Sequence, residues 1–501
     1  MFLEKIGIYG WSEKDENLIL TSILTGDPLL IIGNHGSAKT HLANKLAQSF
    51  NFKFLAYDAS KAMFEDVLGY PNIEKLKEGR VEYIPSPVTI WDKDMVLIDE
   101  LNRAIPELQS KWLEIIRSRK IMGFNTNVKW VWAAMNPSSY SGTVNLDSAL
   151  VGRFSLFLYS PELHNMTEQN RIKVASHMNG DDAPSLMYWS SSNDVEHSTK
   201  NTIPVDVLKS VGVELNTLMK HAHKWFLNLK TDADTLGEFL ARFSTLLLNE
   251  SNSDIIVDGR RLGFMYRNIL ANRSIELAKN ELYGVPMNDF SKSSFNAIQA
   301  SIPVGINDES LVNETVEHIM ENCYNMLSSY FDKGADISIV NTVYELFTTP
   351  DLFRRVEILL TCDLSILIKC KGWSKLLEDD NRDMTLFGYT ALQVEHYRPG
   401  TIPPEMLTHL STKIDPRMLT TATCRPLSNN EIEYMDEIND LIDRTNELTI
   451  LTSRYHIDNL LFNSDDITLD MISKTKENIS ADINRIVEIL TGDKSITSNV
   501  S

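Results

Sequence analysis

Residues 28–40, "PLLIIGNHGSAKT", decide how this chain is read. An apolar run ends at Ile32. A glycine-rich turn follows, and then a lysine and a threonine open the amphipathic segment "THLANKLAQSF". A buried strand, a tight turn and a helix in that order make a phosphate cradle, because the turn's backbone N–H groups point inward at the positive end of the helix. Gly33 and Gly36 supply the turn's freedom, Lys39 can bridge terminal phosphates, and Thr40 can offer its hydroxyl to Mg²⁺. The usual pattern has glycine directly before the lysine, where this chain has Ala38. If the backbone is already helical there, the extra methyl is harmless, so Ala38 does not by itself argue for a decayed loop. Taken alone, the stretch leaves a chance glycine loop open.

Three further stretches bear on that choice. "MVLIDELNRA" (95–104) is an apolar strand ending in Asp99 and Glu100. Adjacent strand residues point to opposite sides, so one carboxylate can hold a hydrated Mg²⁺ while the other orients and deprotonates a water. A solvated strand end is the plainer alternative, but the position, one strand and one helix after the loop, weighs against it. "WVWAAMNPSS" (130–139) is another apolar strand, ending in Asn136, whose amide can place a water. "NLDSALVGRF" (145–154) brings Arg153 after a short helix, and Arg260–Arg261 open a helical stretch with Asp258 as its N-cap.

Outward from these, "PLLIIG", "KFLAY", "DMVLID" and "KWVWAAM" read as four strands alternating with helices. That pattern predicts a parallel sheet covered on both faces. Residues 14–25 read as a helix stopped by Gly26-Asp27-Pro28. The expected organisation is a nucleotide-binding core at 1–164, a polar insertion or linker at 165–204, a helical region at 205–306 and a mostly helical region at 307–501. Ile479, Ile483, Ile486, Val487 and Leu490 form one apolar stripe of the last region, stopping at Gly492.

The 501 residues suffice for several domains; 43% are hydrophobic and 23% charged, ordinary for a globular chain. Lys and Arg number 48 against 68 Asp and Glu, a net charge of −20. Such a chain is repelled by phosphate backbones and anionic lipids, which disfavours bulk nucleic-acid or membrane-surface binding. No stretch is apolar and long enough to span a bilayer, and a cytoplasmic location is expected. The four cysteines, Cys323, Cys362, Cys370 and Cys424, include no CxxC pair and read as reduced thiols. The paired His221 and His223 fall on different sides of a helix and read as packing rather than a metal site.

Taken in order, these elements resemble the AAA+ ATPases. "DELNRAIPELQSKWLEIIRSRKI" is similar to the "DEINRA…P…Q…LLEAMEER" segment of the MoxR branch, akin to the dynein/midasin-related group. "EDVLGY" with "EGRVEYIPSPV" resembles that branch's insertion before the acidic strand. "GSAKT" fits, since the branch commonly has alanine before the lysine, and "ASIPVGI" (300–306) resembles the end of the family's lid. The resemblance implies an α/β fold: an AAA+ αβα P-loop core with a parallel sheet, a helical lid at 205–306 and an additional helical C-terminal domain. It implies ATP and Mg²⁺ as cofactors. Gly33, Asn34, His35, Gly36, Ser37, Ala38, Lys39, Thr40 and His41 would form Walker A. Asp99 would sit on Mg²⁺ with Thr40, and Glu100 would be the catalytic base. Asn136 would be sensor 1, and Arg153 an arginine finger reaching a neighbouring subunit's nucleotide. Arg260, or else Arg261, would be sensor 2, and Tyr9-Gly10 would pass over the adenine. The implied assembly is a homo-oligomeric ring, a hexamer, remodelling or maturing a protein client, in some relatives with a von Willebrand A domain partner. Two alternatives stay open: a nucleic-acid translocase on the same core, and a scaffold locked by ATP without turnover.

Overall fold

The computed structural model describes residues 1–176 except 62, residues 205–307 except 231–233, 252–254 and 256, residues 314–327 and 469–491, and scattered positions between 341 and 468. The chain divides into two compact units, Met1–Glu321 and Asn322–Ser501. The sequence reading had put that division at 306.

Five parallel strands form the central sheet of the first unit: β1 Leu29–Ile32, β2 Phe54–Asp58, β3 Met95–Asp99, β4 Trp130–Met135 and β5 Leu156–Tyr159. Their order is β2-β3-β4-β1-β5. The expected α/β class is what the structure has, with one strand more than the sequence reading named. That strand, β5, lies at the sheet edge and pairs with β1 from Leu29↔Leu156 to Ile32↔Tyr159. Its four residues follow a short helix closely, so the hydrophobic pattern alone did not separate it.

Burial on both sheet faces explains the uninterrupted apolar strands. Leu30, Ile32, Val96, Ile98 and Val131 join one core with Trp112, Ile115 and Ile116 of α3 (Pro106–Ser118). The opposite face meets α1 (Glu13–Thr25), where Trp132 Nε1 donates to Ser22 Oγ at 2.9 Å. α1 starts in a capping box formed by Ser12 and Asp15 and ends at Gly26 in the left-handed conformation. The helix α2 (Lys39–Phe50) leaves the loop after β1.

The later helices of this unit are α4 (Val205–Lys230), α5 (Asp234–Glu250), α6 (Gly259–Tyr283) and α7 (Phe290–Ser301). α6 packs on α1, α4 and α7. Asp258 caps α6 by accepting from Arg261 N–H at 2.7 Å. Two ion pairs tie α6 to the sheet layer. Lys279 Nζ lies 2.6 Å from Glu16 Oε1 with both side chains buried, and Arg267 grips Asp27 at 2.9 and 3.2 Å.

Within the second unit, Ile438, Leu441, Ile457, Ile472 and Ile479 share a described core. Leu469–Thr491 is helical; of the expected stripe Ile479 and Ile486 are buried, while the Leu490 side chain and the stop at Gly492 lie outside the described residues. Cys323 is buried, while Cys362, Cys370 and Cys424 lie outside the described residues, as do 177–204 of the expected insertion. Among the described residues no helix is long and apolar enough to cross a membrane.

Candidate active site

Strand order puts the loop after β1 between the carboxyl ends of β4 and β5, where open parallel sheets take their ligands. Gly33 N–H donates to Met135 O at 3.1 Å, holding the loop's first residue to the end of β4. A Cβ on Gly33 would stand 1.7 Å from Ser160 Oγ and 2.9 Å from Ser160 Cβ, so any other residue there would displace Ser160. Ser160 Oγ in turn donates to Ser37 Oγ at 2.8 Å, Ser37 Oγ to Asn34 O at 2.7 Å, and Asn34 Nδ2 to Glu162 Oε1 at 2.8 Å. These bonds pin both ends of the turn. Gly36 has φ of 76° and Ala38 has φ of 59°.

Ala38 corrects the sequence reading. Alanine there is harmless only if its backbone is helical, but it is left-handed (φ 59°, ψ 26°) and the helix begins one residue later, at Lys39. Left-handed backbone costs an L-residue about 1–2 kcal/mol. The usual glycine is therefore a conformational preference, and alanine occupies the position under strain.

Lys39 is buried, and its Nζ donates to Gly33 O at 2.7 Å, Asn34 O at 2.9 Å and Asn136 Oδ1 at 3.3 Å. Burial pushes its ammonium below the usual lysine range, while the charges of Asp99 and Glu100 pull it back up. Thr40 Oγ1 donates to Asp99 Oδ2. The loop's lysine and threonine thus meet the tips of two neighbouring strands. His41 is half-buried in the first turn of α2.

The acidic pair is separated differently from the expectation. β3 ends at Asp99, and Glu100 is left-handed (φ 53°, ψ 39°), so the chain leaves the sheet there and enters a single 3-10 turn, Leu101–Arg103. The divergence of the two carboxylates comes from this turn rather than from strand alternation. Asp99 Oδ1 accepts from Glu100 N–H at 2.9 Å. Glu100 Oε2 lies 3.3 Å from Arg103 Nη1, and Arg103 Nη2 lies 3.1 Å from His35 Nε2. Asn136 is buried. Its backbone O accepts from Asn102 Nδ2 at 2.8 Å, and its Nδ2 stands 3.4 Å from His35 Nε2. The His35 ring sits edge-on to Tyr140 at 5.4 Å between centroids.

A second cluster is cationic. Arg153 follows the helix Ser148–Val151, and its Nε is buried with no hydrogen-bond partner among the described residues. Burial first, and then the neighbouring charges of Arg260 and Arg117, hold its guanidinium below the usual arginine range. Arg260 is exposed, with Nη1 3.2 Å from Gly152 O. Arg261 is buried: Nη1 donates to Phe154 O at 2.7 Å and Ser301 O at 2.8 Å, and burial pushes its pKa down to about 10. Arg261 is thereby committed to packing, and Arg260 is the one left beside Arg153. Tyr9 and Gly10 lie against residues 166–173, with Lys173 Nζ 5.4 Å above the Tyr9 ring.

Residues 28–156 match the family model described as "ATPase family associated with various cellular activities (AAA)". Residues 28–156 are thus an AAA-family ATPase domain. The MoxR-like wording lies largely within those residues. A structural protein, ORF618, of Acidianus two-tailed virus is 26% identical over 194 residues, 36% of this chain and 31% of that protein, so the chain spans about a third of that relative's length. A candidate ATPase from Cytophaga hutchinsonii is 18% identical with a TM-score of 0.40, over 64% of this chain and 92% of that one. A full-length MCM homologue from Methanopyrus kandleri is 12% identical with a TM-score of 0.34, over 60% and 58%.

Sequence reasoning missed four residues of this AAA+ core's site. Asn102 and Arg103 stand inside the quoted "DELNRA", directly after the acidic pair, and that adjacency was the available signal. Ser160 and Glu162 follow β5, the strand the pattern did not separate, and nothing in their local sequence marks them.

Proposed function

We propose that the AAA+ core hydrolyses ATP with Mg²⁺ in a MoxR-like hexameric ring of identical subunits and thereby remodels or matures a protein client. The observation that carries the nucleotide chemistry is the hydrogen bond between Thr40 Oγ1 and Asp99 Oδ2. It brings a hydroxyl and a carboxylate together, the hard oxygen donors Mg²⁺ takes alongside substrate phosphates. The close approach at Gly33 and the run of turn N–H groups ahead of α2 fit a triphosphate in the same way.

On this reading the turn from Gly33 to His41 binds the phosphates, and Lys39 moves its ammonium from loop carbonyls to phosphate oxygens. Thr40 and Asp99 hold the metal, which when bound neutralises phosphate charge. Asn136 orients the attacking water, and the Glu100 carboxylate accepts its proton. Arg260 contacts the nucleotide from α6. Arg153 serves the neighbouring subunit's nucleotide, a role worth roughly 10³–10⁵ in rate in related chemistry. Tyr9 and Gly10 would pass over the adenine.

Lys39→Ala is expected to abolish nucleotide binding, and Arg153→Ala to keep binding and lose turnover. Mixing the two variants restores turnover if Arg153 acts across subunits. Failure to complement, with each variant folded, overturns the action of Arg153 across subunits. Affinity capture with Glu100→Gln would identify the client or a von Willebrand A partner.

The viral relative's description as a structural protein favours one second reading: an assembly that binds ATP as a lock. Tight ATP binding with no turnover by the wild-type chain would select it.

A further inference from the structure

One continuous chain of polar contacts joins the proposed base to the loop lysine through residues outside the metal-binding pair. Glu100 Oε2 pairs with Arg103 Nη1 at 3.3 Å, and Arg103 Nη2 reaches His35 Nε2 at 3.1 Å. His35 Nε2 also faces Asn136 Nδ2 at 3.4 Å, and Asn136 Oδ1 accepts from Lys39 Nζ at 3.3 Å. Both groups facing His35 Nε2 are N–H donors with no lone pair to give. That nitrogen must therefore be the acceptor, which puts the ring proton on Nδ1. The Tyr140 ring, edge-on at 5.4 Å, steadies the imidazole.

The Arg103 pair is the side-chain ion pair that Glu100 makes among the described residues. Glu100 sits at a left-handed backbone position just off the end of β3, and its side chain is 26% exposed. Arg103 is three residues on, across one 3-10 turn, and its planar guanidinium can face a carboxylate and an imidazole at once. We propose that Arg103 is a positioning residue for Glu100, and that His35 is the acceptor that fixes Arg103. The pair would set where the base points relative to the phosphate-binding turn, acting within one subunit. This rests on the ATPase reading above.

The test is steady-state ATP turnover by the full chain. Arg103→Ala is expected to lower kcat by roughly 10- to 100-fold while KM for ATP stays within about threefold, because Arg103 lies outside the phosphate-binding turn and meets only the His35 side chain of it. Arg103→Lys, which keeps the charge but not the fork, should recover part of that loss. His35→Gln, which keeps an acceptor, should retain more activity than His35→Leu. His35→Leu and Arg103→Ala together should cost no more than the worse single change, since both cut the same link.

Equal losses in kcat and KM, or losses that multiply in the double variant, would overturn the relay. So would wild-type kcat in Arg103→Ala. Failure of the underlying reading looks different: the wild-type chain would not turn over ATP, or Lys39→Ala and Glu100→Gln would turn over normally.

Discussion

The link between α6 and the sheet layer is the most quantitative prediction. Glu16 and Lys279 are both buried, their side chains 1% and 4% exposed, and they meet at 2.6 Å. The second oxygen of Glu16 accepts from Leu3 N–H at 2.9 Å. Lys279→Met keeps the aliphatic volume, removes the ammonium and leaves a carboxylate buried with one neutral donor. Breaking a buried pair in this way costs about 3–5 kcal/mol. Whole-chain unfolding would blur the effect across two units, so amide hydrogen exchange of peptides from Glu13–Thr25 and Gly259–Tyr283 is the assay. At about 1.4 kcal/mol per tenfold, protection should fall roughly a hundred- to several-thousand-fold in these helices. Adding Glu16→Gln should restore most of it, because Gln still accepts from Leu3 and carries no charge. A loss under about tenfold, or a double variant no better than the single, would refute the reasoning.

Gly33→Ala should lose both stability and ATP affinity, since its Cβ would meet Ser160 Oγ at 1.7 Å; adding Ser160→Gly should recover part of the thermal stability. Ala38→Gly exchanges left-handed strain for unfolded-chain entropy and should leave stability level or raised by about 1 kcal/mol in thermal unfolding; a clear loss would mean that alanine is at ease there. Arg261→Met should lower the melting temperature, at about 1–3 kcal/mol for each of the carbonyls of Phe154 and Ser301 left without a donor, whereas Arg260→Ala should leave stability within about 0.5 kcal/mol.

The parts legible in the sequence were those written in local chemistry. The helix cap at Asp258, the stop at Gly26 and the strands ending at Asp99 and Met135 each follow from short patterns of residue type. The meeting of Lys39 and Thr40 with Asn136 and Asp99 follows from strand order in the parallel sheet, which short patterns of residue type do not give. Backbone handedness was not legible. Ala38 and Glu100 are left-handed, and neither residue type advertises it. Nor was the fate of two adjacent arginines: Arg260 and Arg261 are equivalent in sequence, and only the packing of α6 buries one of them. The contact between Arg103 and His35 spans 68 positions and needed coordinates.

The central claim is that Thr40 and Asp99 hold one metal beneath one triphosphate. Calorimetric titration with ATP, in excess Mg²⁺ and again in excess chelator, tests it on the wild-type chain and on Asp99→Asn. Tighter binding with Mg²⁺ in the wild type, and loss of that advantage in Asp99→Asn with chelator-condition affinity intact, is the expected result. An Asp99→Asn chain that keeps the full Mg²⁺ advantage would contradict it.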